Sequence, residues 1–483
     1  MKKLTLSLSV SICILFAISV QAQVGQDQAR NYQINEAHTG SSSTPGLVPP
    51  LKQKWSVNFG QAISYPVIAD GKVFVTVRHA YSYGTTLYAL NAADGATVWS
   101  FELGGFSYWS ALCYENGRVF ALNGDGILGA IDGATGTLIW WRQVSGLTFY
   151  SAPTVYQGVI YIGGSGSGGT SSAISADTGN VLWTATVPAG SNTTAAVSAD
   201  GVYLSYGCVN VNKLNPANGS LIWRNYINMG CSGVAGRAAV LYNGRVYART
   251  PGSNSDWIYD SQTGGLAGSF ISTSAPAFSG NMGFFLNGPP YSGTYGTLEG
   301  RNINNNLVYW SFSGDGFLQS AVLVVNDYVY VGSNTGKLFA VEATSGHQVW
   351  STTAGTSIPR VDESTSSLPL TGFAAGEGIL VVPTATTLVA YEPDNSPTIT
   401  WGSPIPAPNS FGWNNTLVQL PFTPVARPSG TAFANPASPL WFSSEGANQT
   451  QQVFVTDQVG NSATLTSPAV KIDWTAPVTT SAI

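Results

Sequence analysis

Charge is scarce in this chain, and so are the side chains that most often do chemistry. Only 9% of the 483 residues are Asp, Glu, Lys or Arg, and the net charge is −5. No basic run exists, which argues against nucleic acid or an anionic membrane surface as a partner. The three histidines, His38, His79 and His347, fall in a leader segment, a hairpin loop and a repeat turn. That scatter is not the clustered spacing a metal site needs. Helical periodicity is missing over any three turns. The glycine-rich run 163–172 lacks the Lys-Ser/Thr ending and following helix of a phosphate cradle, so it reads as a hairpin loop. No Ser/His/Asp arrangement can be drawn. Past the first residues no apolar stretch is long enough to span a bilayer.

The beginning is different. Lys2 and Lys3 precede an apolar run that ends at Val20-Gln21-Ala22, a small-residue cleavage site. This is the pattern of a secretory signal peptide (1–22) cut after Ala22, followed by a leader segment (23–50). Cys13 lies inside the apolar run and not at the cleavage point, so no lipid attachment is expected. The expectation is an exported protein, secreted or held in the periplasm or at the cell surface, and monomeric. Export permits disulfides. Cys208 and Cys231 are expected to bridge, two buried thiols being the alternative, and Cys113 is then a free buried thiol.

What the chain has in abundance is one phrase, repeated. LYALNAADGATVWS ends near Trp99, LGAIDGATGTLIWW at Trp140, SSAISADTGNVLWT near Trp183, VNKLNPANGSLIWR near Trp223 and LFAVEATSGHQVWS near Trp350. A glycine (Gly95, Gly136, Gly179, Gly219, Gly346) stands four residues before each tryptophan. Weaker copies end at Trp310, with Asn306 in the glycine slot, and near Phe270, where Gly268 holds the tryptophan slot. Ahead of each phrase lies a second hairpin, such as SYPVIADGKVFVTV. Each unit is therefore four short antiparallel strands joined by tight turns. A period of roughly 40 residues marks a repeat architecture. Sheets of this size bury both faces only by stacking radially, so the fold is all-β, a β-propeller over 51–393. Seven units are complete. The strand-like segment around Trp55 lacks its preceding hairpins, and 372–393 lacks its last strand. Joining them closes an eight-bladed ring with an N-terminal strand. Trp55, Trp99, Trp140, Trp183, Trp223, Trp310 and Trp350 are read as blade-packing residues.

After Pro393 the composition turns proline-rich. GWNN (412–415), EG (445–446), the Asp457…Gly460-Asn461 turn and IDWTAP (472–477) resemble the bacterial immunoglobulin-like modules found in tandem on secreted proteins. That resemblance implies a small immunoglobulin-like β-sandwich over 394–477 with a short tail, 478–483. IDWTAP ordinarily leads into a further module, whereas this sequence stops at Ile483.

The propeller phrase A-[LIV]-[DN]-x-x-T/D-G-x-x-x-W is similar to the pyrroloquinoline-quinone (PQQ)-type repeat. The resemblance covers about 51–393. It implies a family that includes PQQ-dependent alcohol and sugar dehydrogenases, an outer-membrane assembly scaffold lipoprotein and many exported proteins without assigned roles. Dehydrogenases of the family hold calcium with Glu, Asn and Asp, use a catalytic Asp, and often carry a disulfide between adjacent cysteines. No two cysteines are adjacent here. Asp125 and Asp315 each sit between glycines, where a turn aspartate is the ordinary explanation. The scaffold branch is disfavoured by the missing lipid-attachment cysteine. The expectation is a non-catalytic binding or scaffold protein with no cofactor, PQQ and calcium entering only under the dehydrogenase alternative. Aromatic inter-blade loops supply candidate ligand-binding residues, Phe106, Tyr108, Trp109, Phe149 and Tyr150, with Arg237. They would grip a protein or glycan at the channel mouth, or else serve inter-blade packing.

Overall fold

Two positive-φ residues in a row set the rhythm of this fold. Asp70-Gly71, Asn116-Gly117, Gln157-Gly158, Asn243-Gly244 and Glu377-Gly378 each turn a first strand into a second, with φ near +50° and then +70 to +80°. This is the two-residue hairpin turn whose twist matches its flanking strands. The computed structural model describes residues 27–144, 150–163, 169–187, 192–207, 210–226, 236–249, 255–288, 295–363, 367–427 and 430–476.

Among these residues, eight meandering sheets follow one another along the chain, at 67–104, 110–143, 154–186, 196–226, 240–270, 277–312, 318–353 and 374–393. They are numbered here as blades 1 to 8. In the last, Leu51–Asn58 supplies the outer strand beside Thr387–Pro393. This pairs the two ends of the array and removes an open edge between them. Within a blade, burial falls from the first strand to the fourth. Ser110–Glu115 is buried throughout, whereas Leu138–Gln143 alternates between exposed and half-buried.

The repeated tryptophan and glycine meet across blades and not within one. The Trp55 ring covers Gly95, Trp99 covers Gly136, Trp140 covers Gly179, Trp183 covers Gly219, Trp223 covers Gly264 and Trp310 covers Gly346. Each indole N–H donates to a carbonyl of the same neighbouring turn: Trp55 to Ala92, Trp99 to Gly133, Trp140 to Ala176, Trp183 to Pro216, Trp223 to Ser261 and Trp310 to Ala343, at 2.8–3.2 Å. A side chain at these glycines would strike the ring, and their φ near +70° disfavours a β-carbon in any case. Where Gly268 replaces the tryptophan, Phe270 fills the space against Tyr247 and Phe285. Asn306 there takes the φ of +60° expected of the glycine slot. Trp350 is half-buried.

The leader does more than precede the array. Asp27 accepts from the Glu377 N–H of blade 8, and Ala29 exchanges both backbone bonds with Ile68 of blade 1. Arg30 accepts from Tyr114 of blade 2, and the Asn31 amide pairs with the Val155 backbone of blade 3. Glu36 accepts from Val197 of blade 4, Ala37 from Leu241 of blade 5, Thr39 from Phe278 of blade 6 and Gly40 from Val324 of blade 7. Ser41–Ser42 then runs parallel to the inner strand of blade 7. Fourteen consecutive residues (27–40) thus visit all eight inner strands in order, satisfying edge N–H groups that would otherwise be buried unpaired. The leader lies at the end of the ring where the turns between first and second strands gather.

The chain divides into two compact units, residues 1–47 with 54–390, and 48–53 with 391–483. The second is all-β as well, with paired strands Thr398–Trp401 and Phe422–Val425, Val418–Leu420 and Leu440–Phe442, Gly446–Gln449 and Val470–Ile472, and a three-stranded sheet built on Gln452–Asp457. Its own core gathers Val418, Leu420, Phe442, Val453, Val455 and Ile472.

Candidate functional site

The antiparallel blades send two sets of loops to each end of the ring. Turns between first and second strands lie at the leader's end. Loops between blades, and those between second and third strands, emerge at the other. The sequence candidates belong to that second end, and the structure sorts them. Phe106 is 86% exposed, its backbone N–H held by Asp125 at 2.7 Å. Tyr108 is half-buried between the Arg78 guanidinium, 4.1 Å from its ring centre, and the Tyr83 ring, at 5.0 Å. Tyr150 is half-buried too. Trp109 is different: it has no exposed surface and packs in the core with Tyr65, Ala111 and Leu370. Its place is structural, because the strand that starts at Ser110 turns it inward under Tyr150, whose ring meets it edge-on at 6.0 Å. Phe149 lies outside the described residues, as do both members of the expected Cys208–Cys231 bridge. Cys113 is an unpaired thiol, fully buried, and burial pushes its acidity well down.

Inside the ring, small residues stand on or just before the inner strands: Ala111, Ala152, Ala238 and Ala321 are all within 1% of full burial. They make room for Tyr32 from the leader and for Val361 and Leu370 from the connection between blades 7 and 8, all in one cluster. The same connection carries Glu363, which is 3% exposed. Its carboxylate accepts two bonds from Arg249 at 2.6 and 2.8 Å, one from the Tyr32 hydroxyl at 3.0 Å and one from the Ala238 N–H at 3.1 Å. Burial alone would raise this carboxyl. The charges of Arg249 and Arg237 and the donated bonds outweigh burial and hold it below the usual range. Arg237, half-buried, therefore acts on a buried ion pair. Burial pushes the Tyr32 hydroxyl well up, and the Glu363 charge adds to it.

Sequence reasoning missed this cluster and the pocket beside it. Ala62, Ile63, Pro359, Leu368 and Pro369 wall a mainly apolar cavity of about 220 Å³ between the connections that flank blade 8, with Arg360 and Asp362 at its rim. One signal was available. The 354–373 connection is the longest between blades, and long connections carry function more often than short ones.

The acids on this end are already engaged. Asp125 holds Phe106, and Asp315 accepts from Ser333, Thr335 and the Phe317 N–H. Burial would raise the Asp315 carboxyl, but those bonds hold it low. No group of three His, Cys, Asp or Glu stands together among the described residues. Glu363 is bound to a guanidinium, which competes with any cation for it. These residues do not fit a calcium-bound quinone.

Residues 51–146, 84–265 and 255–434 match the repeat family described as outer membrane protein assembly factor BamB. No curated protein matches the chain by sequence. Quinohemoprotein alcohol dehydrogenase from Comamonas testosteroni superposes with a TM-score of 0.62 at 14% identity, over 77% of this chain and 81% of that one. A europium-containing methanol dehydrogenase superposes with a TM-score of 0.59 at 14% identity, over 76% and 98%. BamB from Moraxella catarrhalis gives 0.55 at 13% identity, over 71% and 99%. At such identities the likeness establishes a shared propeller fold.

Proposed function

The chain belongs to the family described as outer membrane protein assembly factor BamB, and from that premise we propose that it is an exported, non-catalytic binding or scaffold protein. It acts as a monomer in the periplasm, at the cell surface or outside the cell. Its interaction platform is the end of the propeller opposite the leader, and its second unit is an immunoglobulin-like module.

The observation that carries this reading is the pocket flanking blade 8. At about 220 Å³ it lies below the roughly 300–1,000 Å³ of ordinary cofactor and ligand sites. It accommodates one apolar side chain of a protein segment laid across the face. Around the same end stand exposed rings, Tyr81, Tyr83 and Phe106, of the kind that anchor protein and glycan partners. The alternative, a PQQ- and calcium-dependent dehydrogenase, has the shared fold for support, but the carboxylates described above are committed elsewhere.

The test is site-specific photo-crosslinking in cells of the source organism, with the reactive side chain at Leu368 and, as a control, at Ile139 on the outer strand of blade 2. A discrete crosslinked partner from Leu368 alone supports the proposal. Equal or absent crosslinking from both sites overturns it.

A further inference from the structure

A second site lies in the small C-terminal unit, independent of the propeller. GWNN proves to be part of a rigid turn. The Asn409 side-chain oxygen accepts from both Phe411 N–H and Trp413 N–H at 3.0 Å, and the Asn409 N–H donates to the Trp413 carbonyl at 2.9 Å. Gly412, at φ +81°, allows the chain to fold back. The turn is then tied to the last strand, Asn414 N–H donating to Lys471 and Asp473 N–H donating to Asn414, both at 2.9 Å.

The result is a groove of about 490 Å³ with Phe411, Trp413, Asn409, Asn414, Asn415 and Asp473 along it. Phe411 is 81% exposed and shares the groove with Trp413, which is half-buried. Asn414 is the opposite case. It is 6% exposed, yet its side-chain oxygen has no hydrogen-bond partner among the described residues. That oxygen is shut off from solvent, so it lies behind the groove surface and not on it.

We propose that this groove binds a neutral saccharide. A sugar ring presents apolar C–H faces that lie well on aromatic rings, and hydroxyls that both donate and accept. Phe411 and Trp413 supply the rings. The Asn415 amide donates and accepts, and the Asp473 carboxylate accepts from hydroxyls through the oxygen that the Thr475 N–H leaves free. Asp473 brings one negative charge to the groove, and the Lys471 ammonium, 5.8 Å from the Trp413 ring centre, offsets it, which suits a neutral ligand. The Asn409-pinned turn holds both rings before the ligand arrives, which lowers the ordering cost of binding.

The experiment is calorimetric titration of the full mature chain with soluble oligosaccharides of β-1,4-glucose, β-1,4-mannose, α-1,4-glucose and N-acetylglucosamine. The expected result is saturable binding of at least one, weakened about tenfold or more by Phe411→Ala and by Asn415→Ala. Both residues are exposed, so both variants should melt as the parent does. Phe433→Ala, which removes an exposed ring elsewhere in the same unit, should leave the affinity unchanged. Failure of every saccharide to bind overturns the proposal, as does binding that Phe411→Ala and Asn415→Ala leave intact.

Discussion

The indole of Trp140 in blade 2 lies over Gly179 in the turn of blade 3, with a ring carbon 2.7 Å from the point a β-carbon would occupy. The contact is a stack across a blade boundary, repeated around the ring. Gly179→Ala adds a clash with that ring to the cost of φ +69°, which is about 1–2 kcal/mol by itself. Gly71→Ala meets nothing within 4 Å and carries the φ cost alone. Denaturant unfolding should therefore show Gly179→Ala as the more destabilising of the two, by about 1–3 kcal/mol for the overpacking.

A buried ion pair joins Arg249 of blade 5 to Glu363 in the connection between blades 7 and 8. Glu363→Gln leaves the Arg249 guanidinium buried without its counter-charge, and loss of such a partner costs about 3–5 kcal/mol. Tyr32→Phe removes one hydrogen bond to a charged acceptor, about 1.5–3 kcal/mol. Hydrogen exchange should show the damage of both concentrated in the 27–42 segment and in 354–363, with outer strands little changed.

Acid should loosen the leader. Burial lowers the His38 pKa from 6.5 to about 4, so the folded ring stays neutral while the unfolded one protonates. Its Nδ1 donates to the Ala239 carbonyl at 2.9 Å, and its Nε2 meets the Thr154 hydroxyl at 3.1 Å. The contribution is complete above pH 6.5 and is lost as pH falls towards 4, by about 3 kcal/mol in total. Glu363, whose pKa is depressed, adds a further loss below its unfolded value of 4.5. His38→Asn should flatten the stability profile between pH 6.5 and 4 and leave the steeper fall below it.

Trp109 and Phe106 stand three residues apart in one loop and should behave oppositely. Trp109→Ala empties a fully buried site and should cost about 3–5 kcal/mol. Phe106→Ala removes an exposed ring and should stay within about 0.5 kcal/mol. If the end opposite the leader is the platform, Phe106→Ala weakens partner capture without shifting the melting temperature.

The blades were legible because Gly179 and Trp140 belong to a phrase that recurs, and recurrence identifies an architecture even when each copy is weak. The partner of each glycine was not legible from spacing: the tryptophan four residues on shares its hairpin, but the ring that covers it comes from the preceding blade. From sequence, 23–50 reads only as a leader segment ahead of the propeller. Its role comes from hydrogen bonds to all eight blades, seven of them reached backbone to backbone, which leave little trace in side-chain pattern. Glu363 and Arg249 stand 114 residues apart, and a single buried pair at that distance carries no local signal. Trp109 stayed open between binding and packing for a related reason, since an aromatic residue one position before a strand reads as loop until the strand's inward face is known.

A binding platform and a quinone enzyme differ most sharply in one titration. The direct measurement is calorimetric titration of the purified, calcium-replete protein with pyrroloquinoline quinone, followed by dye reduction with an alcohol and sugar panel. The account predicts no saturable binding and no turnover, because Glu363 is held by Arg249 and Asp125 and Asp315 are bound within their own loops. One-to-one binding with substrate-dependent dye reduction would contradict it and make this chain a quinoprotein dehydrogenase.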